Sequence, residues 1–204
     1  ARPGVDHILI PINKTNTGRV LSLATLVSTP ICIGAIALFI RWKQSYTVKR
    51  YLELDWPQWR SLLLWCLLTL ALIYGMDYIR SLLDISSTST FTTDMYTTAR
   101  FIPLLYLAVG VAAPLFEEVF FRGFMFQGLW HSKVGVWGAV LLPSLLWAVI
   151  HLQYDLYDVT SIFIFGVGMG IAQVRTRSLY VPIAMHALNN ILALSQVAIA
   201  QTLL

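Results

Sequence analysis

The sequence predicts an all-α fold, a polytopic membrane helix bundle with about six transmembrane helices. Three observations carry that expectation. Hydrophobic residues make up 57% of the 204 residues and charged residues only 12%, against about 25% charged in a soluble domain. Mean hydropathy is +0.70. The charges are also grouped, leaving uncharged runs close to the roughly 20 residues that carry a helix across a bilayer.

Residues 1–19 are mixed, with Pro3, Pro11, Asn13 and Gly18, and read as an extramembrane segment. Asn13-Lys14-Thr15 matches the glycosylation sequon, a short pattern that carries little by itself. No basic stretch leads directly into a short apolar run, so a signal peptide is not expected. Residues 20–40 are uncharged and long enough to span. The polar stretch 41–60 then combines five basic residues with Trp42, Trp56 and Trp59. Cations beside amphipathic aromatics suit a membrane interface.

A second apolar run covers residues 61–76 and ends near Asp77 and Arg80. Residues 81–100, rich in Ser and Thr and holding Asp84, Asp94 and Arg100, read as a loop. The third run begins at Phe101 and reaches Trp130, broken by Glu117, Glu118 and Arg122. The fourth, 134–150, ends on His151, and a short acidic and aromatic connection follows at 153–158. The fifth, 159–174, contains Gly166, Gly168 and Gly170, which in an apolar helix permit close packing. After a basic turn at 175–177, the last run, 178–204, has no formal charge but holds His186, Asn189 and Asn190. No internal repeat is visible. The division expected is 1–100, an N-terminal segment with two transmembrane helices and an amphipathic linker, and 101–204, a helical core.

The net charge of +4 brings no concentrated basic stripe, so no nucleic-acid partner is expected. The cations flank the apolar runs and act as topology signals. Basic residues are more numerous in the loops after helices one, three and five than at the other end, which places the N-terminus outside and residues 41–60 in the cytoplasm. Cys32 and Cys66 both lie in apolar runs. They make neither a disulfide framework nor a zinc site, and no neighbouring polar group would activate a thiolate.

Ionisable groups inside a bilayer are expensive, so those in the third run need a reason. Glu118 and Arg122 are four apart and can pair on one helix face. Glu117 is rotated by about 100° from Glu118 and can point elsewhere. A packing ion pair alone would leave Glu117 without a task. His151 closes the fourth run, while His186 and Asn190 share a face of the sixth with Asn189 one step around. Converging polar groups in an apolar bundle usually make a functional site. Their depths disagree, however. For His151 to meet Glu117 and His186, the fourth helix has to continue past it, begin later or bend at Pro143.

Glu117-Glu118-Val119-Phe120-Phe121-Arg122 resembles the E-E-x-x-x-R motif of the CAAX protease and bacteriocin-processing (CPBP) family, which includes the type II CAAX prenyl endopeptidases. Trp147-Ala148-Val149-Ile150-His151 is similar to that family's F-x-x-x-H, with Trp in place of Phe, and His186-Ala187-Leu188-Asn189-Asn190 matches its H-x-x-x-N. The resemblance covers residues 100–195. It implies a glutamate-dependent intramembrane protease in which Glu117 and His151 activate water, His186 and Asn190 hold the oxyanion, and Glu118 and Arg122 shape the site. It implies no cofactor and no metal. It also implies membrane lipids and a peptide or protein substrate, lipidated or not, as partners. The location implied is that of a multi-pass protein of the plasma or inner membrane, or of the endoplasmic reticulum in a eukaryote. The chemistry is sound independently, because an imidazole and an amide can both donate to a tetrahedral oxyanion.

Rival readings fit less of the chain. A rhomboid-type serine protease needs a Gly-x-Ser nucleophile with a His partner, and no such setting occurs. An aspartyl intramembrane protease would use a Tyr-Asp and a Gly-x-Gly-Asp; Tyr154-Asp155 fits the first, but Met169 follows Gly166-Val167-Gly168. Glu and His are also good zinc ligands, yet the H-E-x-x-H spacing is missing. A proton-coupled transporter would favour broken helices in two inverted halves, and none are seen. A non-proteolytic scaffold or immunity protein of the same fold is the remaining alternative.

Overall fold

The computed structural model describes residues 16–43, 46–85 and 90–203. Residues 1–15, with the sequon at Asn13, lie outside the described residues. Among those described, all regular structure is helical. The elements are α1 (Thr17–Lys43), α2 (Val48–Tyr51), α3 (Trp59–Leu82), α4 (Thr90–Thr97), α5 (Ile102–Trp130), α6 (Gly135–Val149), α7 (Leu156–Thr176) and α8 (Tyr180–Thr202). Five of them, α1, α3, α5, α7 and α8, are long and apolar enough to cross a membrane, and α6 is a shorter apolar helix. The chain is a multi-pass integral membrane protein.

The outer faces of α1 and α3 carry exposed Val27, Ile31, Leu38, Leu64 and Leu67, the surface that lipid covers. Trp42, Trp56 and Trp59, all exposed, mark an interfacial belt beside the basic linker. The linker is fastened. Leu179 N–H donates to the Glu53 carbonyl at 3.0 Å, Ser178 Oγ to the Asp55 carbonyl at 2.6 Å, and Gln173 Nε2 to Glu53 Oε2 at 2.7 Å. The linker and the 175–177 turn therefore share one end of the bundle. At the other end, Arg80 near the end of α3 is paired with Asp158 in the first turn of α7.

Two expectations are corrected here. Residues 81–100 are not simply a loop, because α3 runs on to Leu82 and α4 forms within the stretch. Its Ser and Thr disfavour helix, but Met95 and Phe91 reach a cluster with Leu105 and Leu194, and that packing decides. Gly18 lets α1 abut α4, since a Cβ there would overlap the Met95 carbonyl. The second concerns the fourth helix, which does not continue past His151 but ends at Val149. At 15 residues it rises about 22 Å, short of a hydrocarbon core of about 30 Å.

The third helix is the least regular. Its winding loosens to π-helical at Ala108–Ala112 and again at Val119–Met125. Such segments free backbone carbonyls and recur at functional sites. Here Thr29 Oγ1 donates to the Ala112 carbonyl at 3.2 Å and Asn190 Nδ2 to the Val109 carbonyl at 2.9 Å. α1 and α8 thus help to satisfy the first of its loosened stretches.

Candidate active site

α5, α8, α6 and the turn after it bring Glu117, Glu118, Arg122, His151 and His186 together, lined on the apolar side by Phe121, Phe165, Met169, Val181 and Met185. α6 ends at Val149, and its last turn brings Trp147 to Glu117 on α5, with His151 in the turn that follows.

Glu118 is the hinge of the buried part. Its Oε1 accepts from Arg122 Nη1 at 3.0 Å and lies 2.8 Å from His186 Nδ1. The side chains of Arg122, Glu118 and His186 are 1%, 0% and 3% exposed. A charge so deeply buried persists only when paired. Glu118 therefore does more than pair with Arg122 on its own helix; it also sets the ring of His186 on α8.

Glu117 is placed differently. Its side chain is 20% exposed, and its Oε2 is 4.0 Å from His186 Nε2. The indole Nε1–H of Trp147 donates to that same Oε2 at 2.5 Å. The Trp147 ring centroid is 5.2 Å from that of His151 and 5.0 Å from that of His186, and the Arg122 guanidinium lies 4.6 Å from the centre of the indole. Among the described residues Glu117 and His151 share no direct hydrogen bond, and Trp147 is what joins them.

His151 Nδ1 is 2.7 Å from the Trp147 carbonyl. A carbonyl only accepts, so Nδ1 carries a proton, and in the neutral ring Nε2 holds the lone pair. Tyr154 stacks on the His151 ring at 6.0 Å and meets Phe91 of α4 at 5.5 Å. Burial pushes the Tyr154 phenol up; a hydrogen bond with Thr92 pulls it down, and the Asp158 and Glu117 carboxylates add to the rise.

Asn190 is half-buried and is not bonded to the other five. Its Nδ2 donates to Val109 and its Oδ1 accepts from Asn189 Nδ2 at 3.2 Å, which leaves one N–H of the amide uncommitted. Among the described residues no three His, Cys, Asp or Glu side chains are grouped to hold a metal ion. The glycines of α7 also divide. A Cβ on Gly166 would meet Arg122 Nη2 at 2.9 Å, one on Gly170 would meet Val140 Cγ1 at 3.0 Å, and Gly168 faces open space. Close packing thus belongs to the first and third of them.

Sequence reading missed Trp147 and Tyr154 as members of the site. For Trp147 the signal was present, since the departure from Phe adds an N–H donor.

The model of the type II CAAX prenyl endopeptidase Rce1-like family matches residues 99–192. The membrane-embedded CAAX protease MroQ of Staphylococcus aureus is 31% identical over 198 residues, covering 92% of this chain and 76% of MroQ. The chain belongs to the CPBP family of CAAX-type membrane proteases. An uncharacterized 24.3 kDa protein of Escherichia coli is 33% identical over 86 residues, 41% of this chain and 39% of that protein, so the match spans well under half of that relative. No solved structure matches the chain. Within this CPBP protein the family match takes in α5 to α8 up to residue 192, and all six sequence-selected site residues lie in it, five on helices and His151 in the turn after α6.

Proposed function

We propose that this chain is an intramembrane endopeptidase that works without a metal ion, with water activated by Glu117 and His151. The observation that carries the reading is the division between two adjacent carboxylates. Glu118 is sealed and spent on Arg122 and His186, whereas Glu117 is the one that reaches open space. A partly exposed carboxylate bonded to the indole on which the His151 ring packs suits general-base work.

In the proposed reaction, Glu117, assisted by Nε2 of His151, takes a proton from water as its oxygen bonds to the scissile carbonyl carbon. The carbonyl electrons move to oxygen, giving a tetrahedral oxyanion. His186 and the uncommitted N–H of Asn190 stabilise it, each donor worth roughly 3 kcal/mol. His186 donates from Nε2 when its ring carries both protons, because Nδ1 is committed to Glu118. Collapse breaks the C–N bond, and the proton held by the base passes to the leaving amine. Glu118 and Arg122 hold the geometry, and residues 101–204 carry the chemistry. The substrate is a membrane-associated peptide, prenylated in the CAAX manner or otherwise held at the bilayer.

The test uses purified protein in lipid nanodiscs with internally quenched peptides, one farnesylated on a CAAX cysteine and one unmodified. Cleavage of at least one probe is expected, abolished separately by Glu117→Ala and by His151→Ala and indifferent to a zinc chelator. Cleavage that survives either substitution, or stops with the chelator, overturns the reading. Comparison of peptide termini in cells carrying wild type or Glu117→Ala then identifies substrates.

A further inference from the structure

We propose that Trp147 is a positioning residue for the base, its indole N–H fixing which oxygen of Glu117 is tied and which is left for water. The assignment rests on Glu117 acting as the base. Four features of the geometry support it.

First, an indole nitrogen can only donate. Its 2.5 Å contact with Glu117 Oε2 is therefore a one-way bond in which the carboxyl oxygen accepts.

Second, the donor cannot turn away. Trp147 is 2% exposed. It is packed among Phe121, Phe165, Met169 and Met185 and enclosed by the rings of His151 and His186 and the Arg122 guanidinium. Glu117, by contrast, has three rotatable bonds and is 20% exposed, so an unanchored carboxylate would sample several rotamers.

Third, the bond selects between the two oxygens. Trp147 Nε1 and His186 Nε2 both face Oε2, at 2.5 and 4.0 Å. No protein hydrogen bond is made to Oε1 among the described residues, which leaves that oxygen to take the proton from water.

Fourth, Trp147 couples both partners of the base, since its own carbonyl accepts from His151 Nδ1 at 2.7 Å. One residue thus orients the carboxylate through its side chain and sets the imidazole tautomer through its backbone. A phenylalanine at this position would keep the second function and lose the first.

The experiment compares wild type, Trp147→Phe and Glu117→Gln in nanodiscs, with tryptophan labelled by ¹⁵N at the indole. The indole resonance missing from Trp147→Phe identifies Trp147. In wild type its proton is expected downfield and slow to exchange with solvent, and in Glu117→Gln it moves upfield and exchanges faster. With the farnesylated and unmodified quenched peptides as probes, Trp147→Phe lowers kcat about tenfold with KM unchanged, because the substrate still binds while the base is misplaced.

An indole resonance that ignores Glu117→Gln overturns the assignment, as does a Trp147→Phe protein with wild-type kcat. A thermal melt checks that Trp147→Phe is folded; if it is not, the response of the wild-type indole to Glu117→Gln decides. Wild type that cleaves neither probe, with no difference in cellular peptide termini against Glu117→Ala, overturns the protease reading instead. The indole response then decides the existence of the bond alone.

Discussion

Two of the arginine–carboxylate networks among the described residues differ chiefly in how far their carboxylates are exposed. At the centre, Arg122, Glu118 and His186 link α5 to α8 with side chains 1%, 0% and 3% exposed. At the rim, Arg80 links α3 to Asp158 and Asp155 at the start of α7, where the acids are 22% and 51% exposed. The chemistry of the pairs is the same. What differs is the alternative open to each partner when the other is removed. A rim carboxylate falls back on water, while Arg80, 10% exposed, has little of it, so the pair contributes more than the about 0–1 kcal/mol of an exposed pair and less than a sealed one. A central carboxylate has no such refuge, and breaking a buried pair costs about 3–5 kcal/mol. The central network is therefore an architectural commitment, and it is what leaves Glu117 free of structural duty.

The largest effect should come from Glu118→Ala. It leaves Arg122 buried without its partner and frees the ring of His186. A loss of about 3–5 kcal/mol is expected in denaturant unfolding in detergent, with cleavage abolished. Glu118→Ala costing no more than Asp158→Ala would break the comparison outright.

Next comes the packing that keeps water from the centre. In Gly166→Ala the new Cβ meets Arg122 Nη2 at 2.9 Å, Ser144 Cβ at 3.1 Å and Trp147 Cε3 at 3.2 Å. Overpacking of this kind costs about 1–3 kcal/mol, and displacement of Trp147 should lower kcat as well. Gly168→Ala, facing open space on the same helix, is the control and should change neither the melt nor the rate.

This contrast also marks what the sequence could and could not reveal. The spans were legible because charge is costly in lipid, so uncharged runs mark them. The pairing of Glu118 with Arg122 followed from a spacing of four. That His186 would take the same oxygen 68 residues away did not, because no local rule encodes contacts between helices. Helix α4 was hidden by Ser and Thr, whose weak helix propensity was overridden by the packing of Met95 and Phe91. The loosened turns of α5 had only indirect signals, Pro103, Pro114, Gly110 and Gly123. The 15-residue length of α6 was nearly legible in an apolar run of similar length.

At the rim the expected effects shrink. Asp158→Asn removes the main partner of Arg80, which still lies 3.8 Å from Asp155 and over the ring of Tyr157 at 4.6 Å. A loss larger than the about 1 kcal/mol of an exposed pair and smaller than that of Glu118→Ala is expected. Raising salt from about 0.1 to about 1 M should remove part of the difference from wild type, because the Debye length falls to about 3 Å while a partly buried pair is screened less. The central substitution should show no such salt dependence, which separates the two networks by a second criterion.

Tyr154 provides the smallest test, and it belongs to both regions, since the Asp158 and Glu117 carboxylates both act on its phenol. Burial leads in raising that phenol above its ordinary value. The sign follows directly. Below the ordinary tyrosine value of about 10 the ring is neutral whether the chain is folded or unfolded, and stability is fully present. Above it the unfolded chain ionises first and binds fewer protons than the folded one, so stability falls as pH rises towards the raised folded value. Tyr154→Phe removes this contribution. Its melting temperature, followed from about pH 8 to about pH 11, should decline less steeply than that of wild type, with little difference at the neutral end. The variant keeps the ring that stacks on His151, so cleavage at neutral pH should be nearly retained. A steep loss of cleavage at neutral pH would instead mean that the hydroxyl itself serves the site, and would move Tyr154 from the boundary between the two networks into the central one.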